Sequence, residues 1–301
     1  MTVPSRADYS ACQMKPPKFD YHAPASVADA IALLTRYAGD AKVLAGGQSL
    51  LPVLNFRLAT PAALIDINRI ASLAYIREEA GQVRIGAMTR QRSIEFSPVI
   101  RDTLPLLAEA TRWIAHLPIR TRGTIGGSLS HADPSAEDPM VITALGGEML
   151  LTGPKGERTV TPADFFQSYL TTCLAADELL TEIRIPVMAP GAGYAVEEFA
   201  RRKGDFAIVG IAAIIERSGA RCTKARLATA GAGPTSIRLR AAEEILERDG
   251  LGDAAIDAAS RKAAELVNPD SDLHASADYR RHLANVLTGR ALRRAIEKSK
   301  G

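Results

Sequence analysis

The sequence predicts an α+β fold in two unequal parts, and three observations carry that reading. Early in the chain a helical stripe, a short apolar strand and a glycine pair follow one another within about twenty-five residues. Near residue 190 the run Met188-Ala189-Pro190-Gly191-Ala192-Gly193 breaks the pattern. Beyond it come three strand-like segments and then three helical ones, the order expected of a separate antiparallel sheet covered by helices.

Residues 1–14 are polar and aperiodic, so a mobile extension is expected there, with Met14 as a second candidate start. The helix predicted over 26–38 rests on Val27, Ala30, Ile31, Leu34 and Ala38 at helical spacing. Ser26 with Asp29 three residues on supplies a capping-box start, and Gly39 the stop. Residues 42–45 and 64–67 read as short strands. A hairpin over 73–77 and 82–87 turns at Ala80-Gly81, with Val83 and Ile85 in alternation. Helices are expected at 89–96, capped by Thr89, and at 103–115. The single tryptophan, Trp113, is read as a packing residue in preference to a ligand-stacking one.

Residues 116–138 are rich in Gly, Ser, Pro and charge and read as one long loop, a feature that in a compact domain is functional or disordered. Asp138-Pro139 is expected to be the N-cap and first residue of a helix ending at Gly146-Gly147. A strand at 149–152, a turn at 153–156, a strand at 158–160, a helix opened by Thr161-Pro162 and running past Tyr169, and a strand at 179–185 complete the first part. The second part has strands at 194–202, 206–216 and 222–230 and helices at 238–249, 253–267 and 276–298. These give domains of 15–188, divisible near residue 70, and 194–298.

Composition narrows the function classes. Of the 301 residues 47% are hydrophobic and the net charge is +3, with both signs scattered and no basic block suited to nucleic acid or an anionic membrane. Cys12, Cys173 and Cys222 contain no C-x-x-C pair and argue against a disulfide framework, a zinc site or an iron–sulfur cluster on this chain. The longest apolar run, 206–215, is too short to span a bilayer, and a cytoplasmic location is expected. The histidines lack metal-ligand spacing. His131 is read as a solvated loop residue, and Arg280, Arg281, Arg290, Arg293 and Arg294 as a solvated helix face.

Two glycine pairs remain: Ala45-Gly46-Gly47-Gln48-Ser49 and Thr124-Ile125-Gly126-Gly127-Ser128. Glycine permits close backbone approach and positive φ, while Ser and Gln add donors, so both segments suit a phosphate-bearing ligand. Neither is G-x-G-x-x-G nor a Walker P-loop, so a dinucleotide would have to be shared between segments almost eighty residues apart. A plain strand-to-loop turn remains the alternative, and Gly146-Gly147 shows that a glycine pair alone proves little.

The stretches A-G-G-Q-S-L-L-P at 45–52 and T-I-G-G-S-L-S-H-A-D-P at 124–134 resemble the two FAD loops of the medium, FAD-binding subunit of molybdenum hydroxylases, the carbon monoxide dehydrogenase and xanthine dehydrogenase family. The likeness extends from Met14 over nearly the whole chain. It includes Lys15 to Pro24, Leu64 to Ile67 and Arg202 to Ala207. It implies a two-part FAD-binding domain of the vanillyl-alcohol-oxidase (PCMH) type followed by a smaller C-terminal domain with a three-stranded antiparallel sheet. Ala45, Gly46, Gly47, Gln48, Ser49, Thr124, Ile125, Gly126, Gly127 and Ser128 would hold the diphosphate and ribityl chain, Glu137 would lie by the ribityl or adenosine end, and Lys203 would approach the ring system. Gln48 stands where carbon monoxide dehydrogenases often have His, which argues against reading carbon monoxide as the substrate. The resemblance further implies partners: a large molybdopterin subunit and a small subunit with two [2Fe–2S] clusters, in a heterotrimer or a doubled heterotrimer. A self-sufficient FAD oxidoreductase of the same fold superfamily and a non-catalytic nucleotide-binding protein are the competing readings. No side chain is singled out as acid, base, nucleophile or metal ligand.

Overall fold

A computed structural model describes residues 14–300 of the chain; the predicted N-terminal extension therefore lies, apart from Met14, outside the described residues. The first layer is a small parallel sheet with the strand order Asp20–His22, Ala63–Asp66, Ala41–Leu44. Helix Val27–Tyr37 covers it with Ala30, Ile31 and Leu34. The Ser26 hydroxyl accepts from Asp29 N at 3.1 Å and donates to the Asp29 carboxylate at 2.6 Å, so the cap forms as the sequence predicts. Ala38, not Gly39, is the first residue in the left-handed region, at φ 48°.

The second layer is a five-stranded antiparallel sheet in the order Ile76–Glu79, Gln82–Gly86, Leu179–Pro186, Glu148–Gly153, Gly156–Val160. Several local expectations change here. Thr89 does not cap helix Gln91–Phe96; its hydroxyl exchanges hydrogen bonds with the backbone of Tyr75 instead, and Arg90 stands at the cap. The helix predicted over 103–115 is shorter, Pro105–Thr111, and a separate, unpredicted helix, Pro98–Thr103, precedes it, because Pro105 starts a new helix at its first turn. The helix opened by Pro162 stops at Phe165, and the chain forms a small hairpin of Phe166–Ser168 and Thr171–Thr172, with Leu170 at φ 51° in its turn.

The third sheet is antiparallel: Gly193–Phe199, Val209–Ser218, Arg221–Ala230 and a fourth, two-residue strand Ile237–Arg238 beyond the three expected. Helices Arg240–Asp249, Asp253–Leu266 and Ala277–Lys298 cover one face, burying Leu246, Ile256, Ala263, Leu287 and Leu292 against Ile211 and Leu227. The arginines of the last helix are not uniformly solvated. Arg280 is buried, donating to Ile208 O at 2.6 Å and Gly231 O at 2.8 Å and pairing with Asp272 at 2.7 Å. Arg294 pairs with Glu197 and Glu109.

Helix Glu137–Leu145 joins the second and third layers, and all nine of its residues are buried. Met140, Ala144 and Leu145 share one apolar cluster with Ile183 and Ile185 of the central sheet and Val196, Ala212 and Ala228 of the third. This explains why the helix reads as apolar on every side. Asp138 is inside its first turn and is not the N-cap; Ala136 holds that place. At the other end Gly146 adopts φ 67°, the left-handed stop anticipated for it, and Arg226 donates to Leu145 O at 2.5 Å. Among the described residues no helix is long and apolar enough to cross a membrane.

Candidate functional site

The stretch 116–138 is not a loop. Leu117–Arg122 and Ile125–His131 are short helices. Thr124 caps the second, its hydroxyl accepting from Gly127 N at 3.1 Å, and Ala132 ends it at φ 52°. Gly126 and Gly127 thus lie in a helical turn, where glycine is a poor choice on propensity alone. Space explains Gly126: a Cβ there would stand 2.5 Å from Ala87 Cβ and 2.6 Å from Ala87 O.

The first glycine segment differs in conformation. It leaves strand Ala41–Leu44, passes through Gly47 at φ 73° and enters helix Leu50–Asn55. A Cβ on Gly46 would lie 2.5 Å from Arg122 O and 2.8 Å from Gly123 Cα. The first glycine segment is therefore packed on the backbone of Arg122 and Gly123, which leads directly into the second, although nearly eighty residues separate the two. Only glycine at 46 allows this packing.

Together they wall one cavity of about 530 Å³, within the range of small-molecule and cofactor sites. Ala45, Gly46, Gly47, Gln48, Ser49, Thr124, Gly126, Gly127, Ser128 and Glu137 all line it. Two expected residues do not. Ile125 is fully buried in the core behind the site. Lys203 is exposed and off the wall, while its neighbours Gly204, Asp205 and Phe206 line the rim. Phe206 is 62% exposed, so the C-terminal part of the chain presents an aromatic ring at the edge of the cavity.

The two segments offer different chemistry. Among the described residues none of the N–H groups of Gly46, Gly47, Gln48 and Ser49 donates to another group. Four neighbouring unpaired donors around the left-handed Gly47 are the kind of backbone group that suits an anion. Gln48 directs one of its two amide N–H groups back onto Gly46 O at 2.9 Å, which braces the turn. In the second segment the N–H groups of Ile125, Gly126, Gly127 and Ser128 are all paired, with Thr89 O, Ala87 O, Thr124 Oγ1 and Thr124 O. It contributes close approach and hydroxyls rather than backbone donors.

Three carboxyls belong to this region: Glu137 and Asp138 are buried and Glu198 is half-buried. Glu137 is 6% exposed. Burial, and then the nearby carboxyl of Glu198, pushes its pKa well above the ordinary range. Burial also raises Asp138 to about 6, opposed by hydrogen bonds from Gln91 and Ser128; the Gln91 amide donates to it at 2.8 Å. Glu198, on strand Gly193–Phe199, is raised to about 7 by burial, and its Oε2 has no partner among the described residues. The raised pKa favours the neutral acid form of Glu137, which offers an O–H as well as acceptors. Asp133, Glu178 and Asp205 also line the cavity, so its wall carries carboxylates as well as backbone donors.

Several wall residues escaped the sequence reading. Asp133 and His131 line the cavity within a motif already noted. Met88, Gln91, Leu170, Leu174 and Leu180 carried no local signal, since the fold alone brings them there. A long, mostly apolar cavity with one dense cluster of backbone donors fits FAD, which has an apolar ring system and a diphosphate. Among the described residues no group of three or more His, Cys, Asp or Glu is placed to hold a metal ion.

Comparison with known proteins agrees. Residues 17–188 match the family described as the FAD binding domain in molybdopterin dehydrogenase, and residues 194–295 the CO dehydrogenase flavoprotein C-terminal domain. The chain is 42% identical over 289 residues to the 6-hydroxypseudooxynicotine dehydrogenase complex subunit alpha of Paenarthrobacter nicotinovorans, covering 95% of this chain and 97% of that one. It is also 42% identical over 282 residues to the carbon monoxide dehydrogenase medium chain of Hydrogenophaga pseudoflava, covering 94% and 98%. The solved carbon monoxide dehydrogenase of that organism, in a form lacking the Mo-pyranopterin moiety of its cofactor, superposes with a TM-score of 0.93, covering 95% of this chain and 99% of the other. Cavity, fold and kinship converge: the chain belongs to the FAD-binding flavoprotein subunits of the molybdopterin dehydrogenase family, and is an oxidoreductase subunit.

Proposed function

We propose that this chain is the FAD-carrying subunit of a multi-subunit molybdenum hydroxylase, taking electrons from [2Fe–2S] clusters of a partner and passing them to an external acceptor. The observation that carries the reading is the cradle itself. Two distant glycine segments line one cavity, the first packed on the backbone that leads into the second, and the first has four unpaired N–H groups. The N–H groups of Gly46 to Ser49 would hold the diphosphate, and Gly126, Gly127, Thr124 and Ser128 would let the ligand lie close to the backbone. Glu137, its pKa raised by burial, would in its neutral form offer both a donor and an acceptor to ligand hydroxyls. When bound, FAD supplies the chemistry that exchanges two electrons with single-electron carriers. The polypeptide binds it, orients it and limits water at the rim through Phe206 and Leu170.

Relatives named as subunit alpha or medium chain of dehydrogenases support a partner-dependent role. The partners proposed are a large molybdopterin subunit and a small iron–sulfur subunit, acting together in the cytoplasm as a heterotrimer or its dimer. Affinity purification of the chain from its native source tests this. The expected material is yellow, holds one FAD per chain, and carries molybdenum and iron on two further polypeptides. Its flavin should bleach on addition of a substrate only while those polypeptides are present. Substrate-dependent bleaching by the isolated chain would overturn the proposal.

A further inference from the structure

Where the first glycine segment meets the chain entering the second, the face of Gly46 lies on the carbonyl of Arg122 and the Cα of Gly123. The first segment leaves the small parallel sheet, whereas the second is anchored on the Ala87–Thr89 edge of the larger one. Something else must keep the two halves of the cradle from sliding.

A second connection runs alongside that contact. Asn68 lies in the short turn Ile67–Arg69, directly after strand Ala63–Asp66. Asp66 fixes it, accepting from Asn68 N at 2.9 Å and from Nδ2 at 2.6 Å. Tyr21 in turn donates to Asp66 at 2.6 Å. Asn68 Nδ2 also donates to Ala45 O at 2.8 Å, in the first glycine segment. Its Oδ1 accepts from Arg90 Nη2 at 2.6 Å, and Arg90 Nη1 donates to Arg122 O. Arg122 O is the same atom against which Gly46 is packed. The backbone of Arg90 is itself bridged to Thr124, and Gln91 N donates to Gly123 O at 3.0 Å. The path Ala45–Asn68–Arg90–Arg122 thus spans both segments through two side chains.

We propose that Asn68 and Arg90 form a strut that sets the spacing of the two glycine segments, making them positioning residues for the diphosphate-bearing ligand. The inference rests on the FAD reading above and deepens it. Neither residue lines the main cavity; both border a smaller one behind it. They act through the backbone they hold, without touching the ligand. The planar guanidinium suits this task because it directs two N–H groups at two acceptors in fixed relative geometry. A lysine ammonium at the same position carries the charge but cannot bridge both oxygens. Asn68 likewise needs its amide nitrogen for Ala45 and its amide oxygen for Arg90, which an aspartate cannot provide.

The test measures FAD affinity of the full-length apo-protein by quenching of flavin fluorescence, alongside its melting temperature without flavin. Arg90→Met and Asn68→Ala are each expected to weaken FAD binding about tenfold, while the apo-protein melts within a few degrees of the parent. Arg90→Lys should remain as weak as Arg90→Met. The double variant Arg90→Met/Asn68→Ala should be scarcely weaker than either single, because both belong to one connection. Full FAD affinity in Arg90→Lys would make the effect one of charge and overturn the strut. Unchanged affinity in the single variants, or losses that simply multiply in the double, would overturn it as well. If Arg90→Met does not fold, the exposed Asn68 carries the test alone. A parent apo-protein that fails to bind FAD would instead reject the FAD reading.

Discussion

At the scale of single residues, the site depends on where atoms are missing. Gly46 and Gly126 each face backbone at a distance no side chain tolerates. Gly46→Val and Gly126→Val should therefore each abolish flavin retention, read as loss of visible absorbance in purified protein; full occupancy in either would refute a shared cradle. The quartet of free N–H groups was partly legible, since glycine beside Gln and Ser signals anion binding. That only the first segment supplies them was not legible, because pairing of the second depends on Ala87 and Thr89 from another part of the chain. Glu198 shows the same limit. Nothing in its strand marks it as half-buried and unpartnered, and the consequence is a measurable pH dependence. Its folded-state pKa is about 7, above the roughly 4.3 of a free glutamate. The native state therefore binds more protons between those values, and stability contributed by the protonated carboxyl is lost as pH rises through 7. Glu198→Gln should stabilise the apo-protein at pH 8 by roughly 3–4 kcal/mol relative to its effect at pH 4. An equal effect in urea titrations at both pH values would show that the carboxyl is solvated.

At the scale of elements, local chemistry predicted what local chemistry governs. The Ser26 cap, the Ala80-Gly81 turn and the Gly146 stop all form where the sequence places them. Proline positions mattered more than periodicity around 98–115, where the predicted helix begins only at Pro105, after a separate helix has ended at Thr103. The largest error was the loop read over 116–138. Ile125–His131 is a helix despite two glycines because tertiary contacts, including Ala87 against Gly126 and the Thr124 cap, outweigh a propensity cost of about 1 kcal/mol per glycine. Such a helix should depend strongly on its cap. Thr124→Ala removes the acceptor for Gly127 N and should cost about 1–2 kcal/mol. Most of that loss should appear as fraying of 124–131, read by faster amide exchange there with little change elsewhere. Thr124→Ser should restore protection. Uniform loss of protection across the chain would instead assign Thr124 to the global core.

At the scale of the whole molecule, the linker near residue 190 suggests two bodies, yet packing makes them one. Helix Glu137–Leu145 is buried on all sides because its apolar surface is divided between the central sheet and the third sheet. The same helix begins at Glu137, on the cavity wall, so the floor of the site and the joint between the two parts are a single element. Polar ties surround that joint. Glu109 accepts from Val196 N at 3.0 Å, Arg294 at 3.1 Å and Lys298 at 2.5 Å, and Gly231 N donates to Pro134 O at 2.7 Å beside the site. Removing the Glu109 carboxylate leaves a backbone donor and a cation without that acceptor, although Arg294 keeps Glu197. The cost should be about 2 kcal/mol. Because the apolar cluster runs unbroken across the joint, that loss should not let the C-terminal part melt alone. Calorimetry of Glu109→Ala should show one transition, several degrees below the parent, with flavin release and loss of far-ultraviolet ellipticity coinciding. Two resolved transitions, with flavin retained through the first, would mean that the polar ties rather than the shared helix hold the rim residues 204–206 over the cavity.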